Sequence, residues 1–106
     1  MDLSEKRERW SRMLAQAAHL AELDNTSDAV DRARACQAEV LAELELAADA
    51  EARPPLQQML ARVERRLAQA EQAHADWKRR VEERHDLHLA REQEVYDLPL
   101  PGSGID

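Results

Sequence analysis

Apolar residues recur along the chain at intervals of three and four, the spacing of one face of an α-helix. The first such stretch follows Ser4, a residue that caps helix N-termini well. Its apolar positions are Trp10, Met13, Leu14, Ala17, Leu20 and Ala21. This pattern predicts a first helix over about residues 4–23.

A polar break at residues 24–28 separates this stretch from a second one. Asn25, Thr26 and Ser27 can each act as an N-cap, which predicts a second helix over about residues 28–49. Its apolar stripe is Val30, Ala33, Gln37, Val40, Leu41, Leu44 and Ala48. Pro54 and Pro55 follow, and we expect the second helix to end before them because proline disfavours helix at the preceding residue.

The third stretch, over about residues 56–96, is the longest and contains neither glycine nor proline. Its apolar seam alternates steps of four and three, as in a coiled coil: Leu56, Leu60, Val63, Leu67, Ala70, His74, Trp77 and Val81. One further step of four continues the seam through His85, His88, Glu92 and Val95. The pattern therefore predicts one long third helix.

These elements predict an all-α fold, in which an antiparallel helical hairpin packs on a long third helix. We expect a single helical domain over 1–98, followed by a flexible tail over 99–106 that contains Pro99, Pro101, Gly102 and Gly104. The composition agrees, because the chain has only two glycines, one Ile, one Thr and five Val among 106 residues. Such a chain has too few β-branched residues to favour strands.

The third predicted helix is about twice as long as the other two. At about 1.5 Å per residue it would span roughly 60 Å, of which the first two helices cover about half. The uncovered half carries apolar residues, and exposed apolar surface of this extent is typical of a protein interface. We expect a homodimer through the long helices. A groove for another protein and a bend near Gln72 that folds the helix back are the alternatives.

Net charge and composition narrow the class of partner. With 22 acidic and 15 basic residues, the net charge is −7, which argues against binding to nucleic acid. No apolar run approaches the ~20 residues of a membrane span, and the N-terminus lacks the apolar stretch of a signal peptide, so we expect no membrane insertion and a cytoplasmic location. An acidic face could instead imitate nucleic acid, and its candidate residues are Glu39, Glu43, Glu45, Asp49 and Glu51.

Candidate chemistry is sparse. The only cysteine, Cys36, excludes an intramolecular disulfide and is interpreted as a small residue at the core. Glu71 with His74, and Glu82 with His85, have the Glu-x-x-His spacing of di-metal helix bundles. Both pairs lie on one predicted helix, however, whereas such sites draw them from different helices. We therefore expect no enzyme, no catalytic residue, no cofactor and no metal.

The layout resembles that of the FliT-type flagellar export chaperones over about residues 8–98. The resemblance lies in Glu8-Arg9-Trp10, the acidic break, Asp31-Arg32-Ala33-Arg34-Ala35-Cys36, Arg53-Pro54-Pro55-Leu56 and Val95-Tyr96. The aromatic residue that the family often has after the acidic pair between its first two helices is absent here. The resemblance implies a small cytoplasmic helical protein that holds a late flagellar substrate and interacts with export components.

The expected function is that of a secretion-type chaperone or adaptor, which shields an amphipathic helix of a client protein. A structural or regulatory subunit of a larger assembly and an acidic inhibitor that imitates nucleic acid are the alternatives. The resemblance implies that the client binds to the apolar face of the second and third helices. The apolar seam of the third helix extends this candidate surface toward the C-terminus. The candidate partner-binding residues are Val40, Leu44, Val63, Leu67, Trp77, Val81, His85, His88, Val95 and Tyr96.

Overall fold

A computed structural model describes the backbone of residues 2–97 and the side chains of residues 2–91. Three α-helices follow one another: α1 (Leu3–Glu22), α2 (Thr26–Leu46) and α3 (Arg53–Asp97). Within the described residues there is no β-strand, so the predicted all-α class is confirmed. The predicted tail over 99–106 lies outside these residues.

α1 begins earlier than its sequence predicts. The side chain of Asp2, not that of Ser4, caps the helix: its Oδ1 accepts a hydrogen bond of 2.8 Å from the backbone N–H of Glu5. Both residue types cap well, and the carboxylate also interacts favourably with the positive end of the helix dipole.

α1 ends in a Schellman motif, which turns the chain sharply into α2. The N–H of Asn25 donates to the carbonyl of Leu20 at 2.9 Å, and the N–H of Asp24 donates to that of Ala21 at 3.1 Å. Asp24 takes the left-handed conformation that this motif requires, with φ of 61°. The turn is so short that α2 starts at Thr26, two residues before its predicted start.

The connection between α2 and α3 also differs from its prediction. α2 ends at Leu46 instead of Asp49, and α3 starts at Arg53, so that Pro54 and Pro55 lie in its first turn. Proline is well tolerated there because the first N–H groups of a helix have no partner inside the helix. The two prolines therefore begin the third helix in addition to preventing an extension of the second.

Contacts between named pairs fix the direction of the helices. Arg9 near the start of α1 pairs with Glu39 near the end of α2, whereas Gln16 farther along α1 accepts a hydrogen bond from Arg32. These pairs run in opposite order along the two helices, which makes α1 and α2 antiparallel. Arg34 of α2 forms an ion pair with Glu71 of α3.

Two clusters of buried apolar side chains hold the three helices together. The larger cluster contains Trp10, Met13, Leu14, Cys36, Val40, Leu56, Met59 and Val63. The second contains Ala17, Ala29, Val30, Ala33, Leu67 and Ala70. Four of these six residues are alanines, so the helices pack there through small side chains.

The contacts of the chain group into two compact units, Met1–Ala75 and Asp76–Asp106. Both apolar clusters belong to the first unit. In the part of the chain that the structure describes, none of the helices has the length and apolar character needed to cross a lipid bilayer.

Candidate partner-binding surfaces

Three of the predicted partner-binding residues lie in the core of the first unit. Val40 and Val63 are 0% exposed and Leu67 is 9% exposed. Leu44 is half-buried and packs against the larger cluster. Because these side chains already pack against other helices, a client could reach Val40, Val63 or Leu67 only by displacing that packing.

The other predicted residues lie on the second unit. Val81 is 41% exposed, His85 and His88 are exposed, and Trp77 is half-buried. At about 100° per residue these four side chains fall on one face of α3. Val95 and Tyr96 lie on α3 as well, but their side chains are outside the described residues.

Leu89 widens this face. It is 47% exposed and lies about 80° around the helix from Val81, whereas Leu87, 61% exposed, lies about 120° from Val81 in the other direction, beyond Arg84. The opposite side of the helix is charged, and there Arg79 donates a hydrogen bond of 2.9 Å to Asp76. Residues 76–91 therefore form an amphipathic helical segment whose apolar residues include exposed aliphatic side chains. We call this face, consisting of Trp77, Val81, His85, His88 and Leu89, the seam surface.

The acidic residues of α2 are partly neutralised by α1. Arg9 binds the carboxylate of Glu39 through two hydrogen bonds, Nε to Oε1 at 2.9 Å and Nη2 to Oε2 at 3.1 Å. This contact lowers the pKa of Glu39 and raises that of Arg9, because the bond stabilises both charged forms. Lys6 of α1 also forms an ion pair with Glu43 of α2. Of the five candidate carboxylates for nucleic-acid mimicry, these two already have cationic partners.

The two Glu-x-x-His pairs have different surroundings in the structure. In the first pair, Glu71 lies 3.5 Å from the guanidinium of Arg34, while Nδ1 of His74 lies 2.9 Å from the hydroxyl of Thr26. In the second pair, Glu82 and His85 are both exposed. Across residues 2–91, no three His, Cys, Asp or Glu side chains group closely enough to hold a metal ion.

Cys36 is a core residue. Its side chain is 0% exposed, and its Sγ donates a weak hydrogen bond of 3.7 Å to the backbone carbonyl of Trp10. Burial raises the pKa of the Cys36 thiol to about 11, because the thiolate loses its hydration there. The thiol is therefore protonated at neutral pH, whereas a nucleophilic cysteine reacts as the thiolate.

A groove between α1 and α3 was not predicted from the sequence. It has a volume of about 590 Å³ and lies entirely within the first unit. Its lining combines apolar side chains of α1 with three arginines of α3, at positions 62, 65 and 66. We call it the α1–α3 groove. The spacing of these arginines at i, i+3 and i+4 places them on one helix face, a signal that the sequence contained.

Comparison with family models, with curated proteins and with solved structures finds no match to this chain. The resemblance to FliT-type chaperones therefore rests on residue pattern and layout alone.

Proposed function

We propose that this protein is a non-enzymatic helical chaperone or adaptor, of the type used in secretion or flagellar export. It acts in the cytoplasm and shields an amphipathic helix of a client protein. The observation that carries the proposal is the seam surface, on which Val81 and Leu89 expose aliphatic side chains about two turns apart on one side of α3. Apolar side chains on one face of a helix are the feature by which helices recognise one another.

The seam surface supports a helix as occupant better than a small molecule. It lies on the convex side of a helix, whereas small molecules are held in concave pockets. Its borders carry both signs of charge, with Lys78 on one side and Arg91 on the other, and Glu82 next to Leu89. A client helix with leucines on one face and charged residues at its edges would bury the apolar strip and pair with these borders.

A second copy of the chain is the other candidate for this surface, and we propose that it dimerises when no client is bound. Basic residues 78–80 are followed by acidic Glu82 and Glu83. Two antiparallel copies with a small offset would place these opposite charges next to each other, as in antiparallel coiled coils. The same surface would then serve for storage as a dimer and for client binding.

The test replaces exposed apolar residues of the seam surface by charge in the full-length chain. V81E/L89E should weaken the binding of a labelled amphipathic helical peptide at least about tenfold, since each glutamate would have to be desolvated in the interface. A90E is the matched control, because Ala90 is exposed on the opposite side of the same helix. Fluorescence anisotropy measures the peptide, and light scattering over a concentration series measures self-association.

The outcomes separate the possible functions. Loss of peptide binding in V81E/L89E but not in A90E supports the chaperone or adaptor. Loss of a dimer without any peptide binding by the native chain favours a structural or regulatory subunit. An acidic inhibitor would keep its activity in V81E/L89E and lose it when Glu45, Asp49 and Glu51 are reversed to Lys. If no variant changes any of these properties, the seam surface has no binding role.

A further inference from the structure

The α1–α3 groove is longer than its central cavity. Two neighbouring cavities, of about 440 and 280 Å³, share residues with it: Ser11 and Arg62 at one end, Ala18 and Gln69 at the other. Along α1 the continuous groove extends from Ser4 to Ala21, which is roughly 25 Å at the helical rise. This length corresponds to about five turns of a helix lying in the groove.

The floor of the groove is apolar and made of small side chains. α1 contributes the accessible Ala15, Ala18 and Ala21, with the buried Leu14 and Ala17 beneath them. Small residues allow two helix backbones to come close together, as the alanines of α1 and α2 already do in the second cluster. The floor thus suits the apolar face of an additional helix.

The edges of the groove are basic, although the whole protein is acidic. Five arginines line the three cavities, against two glutamates, Glu8 and Glu22. Arg62 donates a hydrogen bond of 3.1 Å from Nη1 to the hydroxyl of Ser11. Among the described residues, the guanidinium groups of Arg65 and Arg66 have no ion-pair partner. They remain available to carboxylates of another chain.

We propose that the α1–α3 groove binds an acidic amphipathic helix of a partner protein. Small apolar residues of that helix would pack on Ala15 and Ala18, and its Asp or Glu side chains would pair with Arg62, Arg65 and Arg66. The site lies in the first unit and does not depend on the seam surface. A free phosphate or phosphorylated small molecule fits less well, because the arginines lie at the open edge of the groove and do not enclose an anion.

The overall charge makes a sharp test possible. At a net charge of −7, non-specific attraction favours a basic peptide over an acidic one. The probe is a labelled helical peptide of about 18 residues, ~27 Å long, with Ala and Leu on one face and Glu along its edge. Its counterpart carries Lys in place of each Glu. We expect the Glu peptide to bind at least about tenfold more tightly than the Lys peptide, and its binding to weaken as salt is added.

Variants of the full-length chain locate the site. R65E/R66E should weaken binding of the Glu peptide at least about tenfold. R34E/R53E changes the net charge by the same amount outside the groove, and its affinity for the Glu peptide should stay within about threefold of the native value. The affinity of V81E/L89E for the Glu peptide should also stay within about threefold of the native value. This result would distinguish the groove from the seam surface. Far-UV circular dichroism verifies that each variant folds. If R65E/R66E does not fold, R65Q/R66Q takes its place, and we then expect a smaller loss of affinity.

A18R distinguishes a docked helix from simple attraction of an anion. It adds positive charge but fills the floor, so helix binding should be lost. Unchanged or tighter binding of the Glu peptide to A18R would overturn the proposal. So would equal binding of the two peptides, unchanged binding to R65E/R66E, or complete displacement of the peptide by millimolar inorganic phosphate at constant ionic strength, which would identify a site for small anions only.

Discussion

The hydroxyl of Thr26 lies 2.9 Å from Nδ1 of His74, and this contact joins the first residue of α2 to α3 across 48 positions of the sequence. The side chain of Thr26 is 3% exposed and is the one polar residue in the core of the described chain. His74 lies one residue before the end of the first unit. The pair therefore fastens the last turn of α3 in that unit to the start of α2.

Replacing Thr26 by valine tests this contact. T26V keeps the shape of the side chain but removes the hydroxyl, so the free energy of unfolding should fall by about 1 kcal/mol. T26S is the matched control, since it keeps the hydroxyl and loses only a methyl group. Urea denaturation followed by circular dichroism measures both. Equal midpoints for T26V and the native protein would show that the contact contributes nothing to stability.

Two valines of the same predicted seam should respond very differently to truncation. Val63 is 0% exposed and Val81 is 41% exposed. V63A should lower the free energy of unfolding by about 2 kcal/mol through lost burial and the cavity that remains, whereas V81A should stay within about 0.5 kcal/mol. The two variants make the same chemical change on the same helix, so each is the control of the other. Similar losses would contradict the assignment of Val81 to the surface.

The buried thiol of Cys36 predicts a fall in stability at alkaline pH. Its pKa is raised from 9.0 to about 11 in the folded protein, so the unfolded chain releases this proton first. The contribution to stability is therefore fully present below pH 9 and is lost as the pH rises toward about 11. The difference in urea midpoint between pH 8 and pH 10 should be smaller in C36A than in the native protein.

The same thiol should resist modification at neutral pH. A disulfide reagent such as Ellman's reagent should react with Cys36 only as fast as the protein opens, because the side chain is 0% exposed. Addition of urea to the unfolding midpoint should therefore accelerate the reaction strongly. Rapid reaction of the folded protein would place Cys36 at the surface instead of in the core.

The sequence predicted the helices well because their signals are local. The apolar spacing, the polar break at residues 24–28 and the scarcity of glycine act within one or two turns of the chain. The boundaries were less accurate for the same reason: Asp2 and Ser4 are both competent caps, and Pro54 can either follow a helix or begin one. Local chemistry allows both outcomes in each case.

The candidate site was predicted only in part. The seam placed Val63 and Val81 on one face of α3, and both were candidates for partner binding. Burial separated them, because Val63 packs against α1 and α2 and Val81 does not belong to either cluster. The periodicity of a helix identifies its apolar face but does not state which part of that face another helix covers.

By itself the sequence determined the all-helical class, the three elements and the apolar face of each one. Only the tertiary structure decided that Thr26 meets His74, that Arg9 neutralises Glu39, and that three arginines of α3 border a groove along α1. Each of these relationships joins residues far apart in the chain. They depend on the rotation and direction in which whole helices pack, and this is set by the fit of all the core side chains together.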